Sequence, residues 1–255
     1  MKKVLIWHTY DLLPKGGPSG YLYNIKKYCK KNNISNIVFL DELVDIKIFN
    51  KRNIFDKLIN KLIKVFYFLN DKDNLKTFNL DLFIKGILDK NRLKLNIKKL
   101  DLSQYDYIHF HTTYELTKYF FLLKNLNFNG KIILTTHSPK PLFREIIEDW
   151  NNLKLEELPN NVVKELEKID IFAYENADIL IYPDINALEP YQKWNYYSKL
   201  ISKNIKFIPT GINPEIIKIG SSKEDIRGKY NIPNDSIVIS YVGRHNYVKG
   251  YDLLK

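Results

Sequence analysis

The chain has 255 residues, 45% apolar and 27% charged, which is enough to bury a substantial core and too ordinary a make-up for a fibrous repeat or a disordered tail. Its single cysteine, Cys29, permits no intramolecular disulfide, as fits a reducing, cytoplasmic setting, and no apolar run approaches the ~18 residues of a membrane span. The 40 basic and 29 acidic residues leave a net charge of +11; zinc-finger spacing, RNP-type aromatics and a continuous basic region are missing, so nucleic acid is not the expected partner.

Met1-Lys2-Lys3 imitates the start of a secretory signal, but the apolar run from Val4 stops at His8, too soon for a signal core, and reads instead as a buried strand. From there short β-branched apolar runs alternate with longer stretches of helical period, the signature of an α/β fold with a parallel sheet and helices on both faces. The strands expected are 3–8, 36–41, 107–111, 131–137, 178–183, 206–210 and 236–243. The clearest helices between them are 21–31, 114–126, 141–150, 162–177 and 191–202.

The rhythm breaks in three places. Residues 51–69 place Ile54, Phe55, Leu58, Ile59, Leu62, Phe66 and Leu69 on one helical stripe, with Lys57, Lys61 and Lys64 on or beside the polar face. The pattern suits a helix packed on the sheet and equally an interfacial helix on anionic lipid. Residues 71–103 are ambiguous, with Leu93, Leu95 and Ile97 alternating like an edge strand. Residues 212–235 carry Pro214, Gly220, Ser221, Ser222, Pro233 and Asn234, which is linker and turn chemistry. The expected organisation is therefore a first domain over 1–211, a linker over 212–235, and the first βα unit of an incomplete second domain over 236–255.

Open parallel sheets bind ligands outside the carboxyl ends of their strands, and polar residues collect there. The first strand ends at His8, the third with His109-Phe110-His111, and the fourth with Thr135-Thr136-His137-Ser138. His109 and His111 share a face, one deeper and one at the rim, with His111 the better site candidate. A partly buried histidine satisfied by backbone is the plain alternative at each position. No close-spaced ligand pair marks a metal site. After the first strand, Lys15-Gly16-Gly17-Pro18-Ser19-Gly20 runs into a helix; paired glycines and a helix N-terminus suit a phosphate, or else form an ordinary turn capped by Ser19. The last strand leads into Gly243-Arg244 and Lys249-Gly250, where a guanidinium and an ammonium can converge on a diphosphate.

The order Gly16-Gly17, His109-x-His111, Thr136-His137-Ser138, Pro209-x-Gly211-Ile212 and Gly243-Arg244 with Lys249-Gly250 resembles the family 4 retaining glycosyltransferases of the GT-B fold, over the whole chain. The resemblance implies two Rossmann-like domains, the first holding the acceptor and the second most of a nucleotide-diphospho-sugar donor. It implies that Arg244 and Lys249 neutralise the donor diphosphate with no metal or other cofactor, that Gly16 and Gly17 approach donor and acceptor, and that His137 hydrogen-bonds the transferred sugar. His8, His111 and Ser138 become candidates on the acceptor side. The acceptor would be a glycan or a lipid-linked saccharide, reached at the cytoplasmic face of the membrane. The family's pair of glutamates seven residues apart in the second domain is not in this chain, since Glu156-Glu157 and Glu165-x-Glu167 fall in the first. The expectation is therefore no turnover by these residues alone and a need for the rest of the donor domain, in cis or in trans. Two alternatives stand beside this one: a basic α/β protein that binds nucleic acid, and a non-catalytic interaction half of a split enzyme.

Overall fold

The computed structural model describes residues 1–14, 17–45, 100–150, 154–158, 160–211 and 220–241. Gly16, Arg244, Lys249, the stripe at 51–69 and the alternation at Leu93, Leu95 and Ile97 lie outside them. The chain divides into two compact units, Met1–Thr210 and Gly211–Lys255.

In the first unit each apolar run forms a strand. These are β1 (Val4–Trp7), β2 (Ile37–Phe39), β3 (Tyr107–Phe110), β4 (Lys131–Thr135), β5 (Ile179–Tyr182) and β6 (Ile205–Phe207). All pair in parallel in the order β2-β1-β3-β4-β5-β6, a Rossmann-like open sheet whose strand order reverses between β1 and β3. Ligands of such sheets bind at that reversal. Each observed strand is shorter than its sequence pattern, because the pattern also counted the polar residues that leave the carboxyl ends.

The register sets Ile6 against His109 and His109 against Ile133, so these three point to one face and their chain neighbours to the other. On the first face Ile6 and Phe39 pack with Leu22 of α1 (Gly17–Lys31). On the opposite face Leu5, Trp7, Ile108, Phe110, Ile132 and Leu134 form the larger core with α2 (Thr113–Asn125) and α4 (Asn160–Asn176). Fully burying one such side chain contributes ~1.5–3 kcal/mol, which is why the sheet's centre rather than its edges fixes the fold. The turn into β4 requires Gly130, where a Cβ would run into the Asp106 carbonyl.

Two expected helices take other forms. Residues 141–150 open as α3 (Leu142–Arg144) and then widen into π winding over Glu145–Trp150. In 191–202 only α5 (Tyr197–Ile201) is α-helical, preceded by a 3-10 turn over Ile185–Tyr191. Tyr191, Trp194 and Tyr196 are all buried, and residues spaced i, i+3, i+5 cannot share one face of a helix; the backbone departs from it so that all three rings pack.

In the second unit the stretch expected as linker contains α6 (Lys223–Lys229). Ser222 Oγ accepts from Asp225 N at 3.0 Å while Asp225 Oδ2 accepts from Ser222 N at 3.1 Å, a reciprocal cap. The expected strand 236–243 is not formed over its described part, 236–241, and Ile237 and Ile239 are 91% and 84% exposed. A strand needs a neighbour for its backbone groups, and among the described residues of this unit there is none.

Candidate functional site

At the reversal between β1 and β3, period-two alternation carries His8, His109, His111 and Thr135 onto the α1 face. His109 Nε2 lies 2.7 Å from Thr135 Oγ1. His111, the residue after β3, packs against His109 with ring centres 4.2 Å apart and lies edge to edge with His137 at 5.3 Å, the latter pair only 18° from parallel. His111 Nδ1 and His137 Nε2 are 3.0 Å apart and share a hydrogen bond. Tyr21, in the opening turns of α1, sets its ring against His137 at 5.1 Å, tilted by 59°, and against His111 at 5.9 Å. The helix that Gly17 begins therefore meets the ends of β3 and β4.

Burial makes this cluster electrically neutral. It pushes His109 down to about 3, helped by His137 nearby, and His137 down to about 4. Fully enclosed His111 falls well below the usual imidazole range through burial, with His109, His137 and His8 adding to it. At neutral pH the site offers imidazole N–H groups and lone pairs rather than charge.

The candidate residues are not equivalent. His137 is half-buried at the mouth, and Ser138 beside it is half-buried too; the Ser138 carbonyl accepts from the Tyr191 hydroxyl at 3.3 Å. His111, expected to suit a ligand directly, is 0% exposed and reaches the mouth only through His137. His8 is also 0% exposed, with Nδ1 2.9 Å from the Tyr10 carbonyl and Nε2 3.3 Å from Asp41 Oδ1. Burial holds the ring below the usual imidazole range, so it donates to one of these two acceptors; with both nitrogens turned to the protein it supports the loop after β1 and offers none to a ligand. Gly17 has φ +79°, and a Cβ there would meet nothing within 4 Å, so the backbone conformation is what demands glycine. Ser19 does not cap α1; its hydroxyl accepts from Leu13 N and donates to the Asp11 carbonyl, tying down the preceding loop. Glu167 accepts from Trp194 Nε1 at 2.7 Å and Glu165 pairs with Lys168, so both serve the fold.

Three residues that brace the site were not singled out in the sequence. Tyr21 is one. Glu115 on α2, only 4% exposed, accepts from both Thr9 N (2.8 Å) and Thr9 Oγ1 (2.7 Å) on a single oxygen, and burial lifts it to about 7 against the bonds from Thr9 and the charge of Lys118. Asp170 on α4 is 0% exposed, accepts from Thr113 Oγ1 and from Phe143 N (2.9 Å), and so joins the N-termini of α2 and α3; burial lifts it too to about 7. The spacing Thr112-x-x-Glu115 reads as a capping box, but Glu115 reaches across to Thr9 while Thr112 alone caps, 3.0 Å from Glu115 N. Asp170 interrupts the buried stripe Leu166, Ala173, Tyr174, and an acid on an apolar stripe was the available signal.

Among the described residues no group of three or more His, Cys, Asp or Glu is arranged to hold a metal ion, and no helix is long and apolar enough to cross a membrane. No family model matches the chain, and no curated protein matches it.

Proposed function

We propose that the chain belongs to a retaining glycosyltransferase of the family 4 kind, which moves a sugar from a nucleotide-diphospho-sugar to a glycan or lipid-linked acceptor. The observation that carries the reading is the neutral His111–His137 pair beside Tyr21, across the carboxyl ends of β3 and β4 and next to the strand-order reversal of a parallel sheet. A neutral, half-buried imidazole is suited to a sugar hydroxyl, because it gives a directed hydrogen bond without drawing a counter-ion or a shell of water. In this reading His137 holds the transferred sugar and Ser138 lies on the acceptor side. Arg244 and Lys249 take the diphosphate, whose charge grows as the glycosidic bond breaks and which no metal is needed to neutralise. The stripe at 51–69 brings the protein to anionic lipid on the cytoplasmic face.

The test is titration of uridine- and guanosine-diphosphate hexoses against the full chain while the His137 and Tyr21 resonances are followed. Sugar nucleotides are expected to shift both, and His137→Ala to weaken the binding several-fold. Nucleotide sugars that leave His137 untouched, or tight oligonucleotide binding that collapses with salt, would overturn the assignment. For the membrane contact, co-sedimentation with phosphatidylserine vesicles but not with phosphatidylcholine vesicles is expected.

A further inference from the structure

We infer that His111 is a positioning residue that holds His137 in its Nδ1–H tautomer, so that His137 meets its ligand as a hydrogen-bond donor to an acceptor oxygen. The inference rests on the proposed sugar site only for the identity of that oxygen; the tautomer follows from the protein alone.

Two neutral imidazoles joined through His111 Nδ1 and His137 Nε2, 3.0 Å apart, have one shared proton and two ways to place it. In one, His111 carries its proton on Nδ1 and donates it to His137 Nε2. His137 then carries its own proton on Nδ1. In the other, His137 donates from Nε2, and His111 must carry its proton on Nε2. That atom is buried with no hydrogen-bond partner. The second arrangement encloses an orphan N–H, while the first leaves only an unshared lone pair there. Buried N–H groups without acceptors are the rarer and costlier defect, which favours the first arrangement by about tenfold or more.

His137 Nδ1 completes the argument. It has no partner among the described residues and is not among the buried unpartnered atoms, so a proton there can bond to solvent or to a ligand. Every N–H of the pair is then used. Tyr21 from α1 and His109 beside His111 are the rings packed on the pair, and neither is charged; His8 also acts on His111, but its own nitrogens face Tyr10 and Asp41 and give His111 Nε2 no acceptor. A chemical consequence follows. With its only lone pair engaged by His111, His137 cannot take a proton from an acceptor hydroxyl at neutral pH, and its part in transfer is to bind a sugar or phosphate oxygen rather than to act as a base.

The test is a two-bond proton–nitrogen correlation spectrum of the full chain with isotope-labelled histidine and no ligand. The His137 proton is expected on Nδ1; a proton on Nε2 overturns the inference. The variant His111→Asp replaces the donor with an acceptor. It is expected to move the His137 proton to Nε2 and to raise its titration by at least about one pH unit. An unchanged tautomer in the folded variant overturns the inference, and if the variant does not fold, the wild-type spectrum decides. Because the measurement needs no donor or acceptor sugar, failure of the nucleotide-sugar titration leaves this result standing, and the reverse also holds.

Discussion

Replacing Glu115 with glutamine should stabilise the protein in mild base and not in mild acid. Both bonds from Thr9 fall on Oε1, which glutamine keeps as a carbonyl oxygen. The other oxygen, Oε2, is buried with no partner, so its replacement by an amide nitrogen breaks no bond. What changes is titration. The carboxyl moves from 4.5 in the open chain to about 7 in the fold, with burial as the main cause. The folded pKa is raised, so Glu115 contributes fully below the unfolded pKa, and that contribution is lost as pH rises through about 7. The lost part amounts to about 2–3 kcal/mol between pH 5 and pH 8. Glu115→Gln lacks this loss, whereas any penalty for its enclosed amide is the same at both pH values and cancels. Urea unfolding followed by tryptophan fluorescence should show the variant gaining about 2–3 kcal/mol on wild type between pH 5 and pH 8. For a chain of this size that is roughly 5–10 °C in Tm. A stability difference independent of pH would refute the reasoning, since it would mean that Thr9 and Lys118 keep Glu115 ionised within the fold.

Asp170→Asn should keep the bond from Thr113 and turn an amide N–H₂ toward Phe143 N, where a carboxylate oxygen now accepts; the expected loss is about 1–3 kcal/mol, with faster hydrogen exchange at the Phe143 amide. Gly17→Ala forces a side chain into φ +79° and should lower stability by about 1–2 kcal/mol, read from urea midpoints. His137→Asn should destabilise less at pH 5 than at pH 7. The folded imidazole titrates at about 4, below its unfolded value, so its contribution is present above pH 6.5 and is lost as pH falls toward 4. The gap to wild type should therefore narrow by about 2 kcal/mol between the two pH values.

The sheet was legible because parallel strands are buried on both faces and leave continuous apolar runs, such as Val4–Trp7 and Ile179–Tyr182. Their order was not, since nothing local states that β1 lies between β2 and β3. The strand-end histidines could be read as a group, but the use made of each depends on partners far away in the chain. Asp41, 33 residues on, completes the bonding of His8, and His137, 26 residues on, takes up His111. The helix expected over 191–202 is only partly formed because one apolar face cannot hold all three rings: Tyr191 and Trp194 pack among Tyr174, Tyr182 and Phe143, and Tyr196 packs on Trp194. Asp170 was marked only by its place on the stripe of Leu166, Ala173 and Tyr174, and Glu115 by nothing local, because a buried carboxylate looks like a surface one until the fold closes over it.

The neutrality of the histidine cluster bears on how a sugar-transfer site of the proposed kind would divide its work. A charged group beside the sugar would strengthen every nearby hydroxyl contact alike, in the ground state as much as in the transition state, and so raise affinity without raising rate. Enclosed imidazoles avoid this, because burial suppresses protonation and leaves a directed dipole that orients one oxygen. Cationic stabilisation is then kept for the leaving diphosphate, where charge appears only as the bond breaks. On this argument an added positive charge at the cluster mouth, as in Ser138→Lys, tightens nucleotide-sugar binding and, measured with a complete donor domain present in cis or in trans, slows or leaves unchanged the chemical step. A variant that accelerated transfer would show that the neutral cluster does not serve to separate orientation from charge stabilisation.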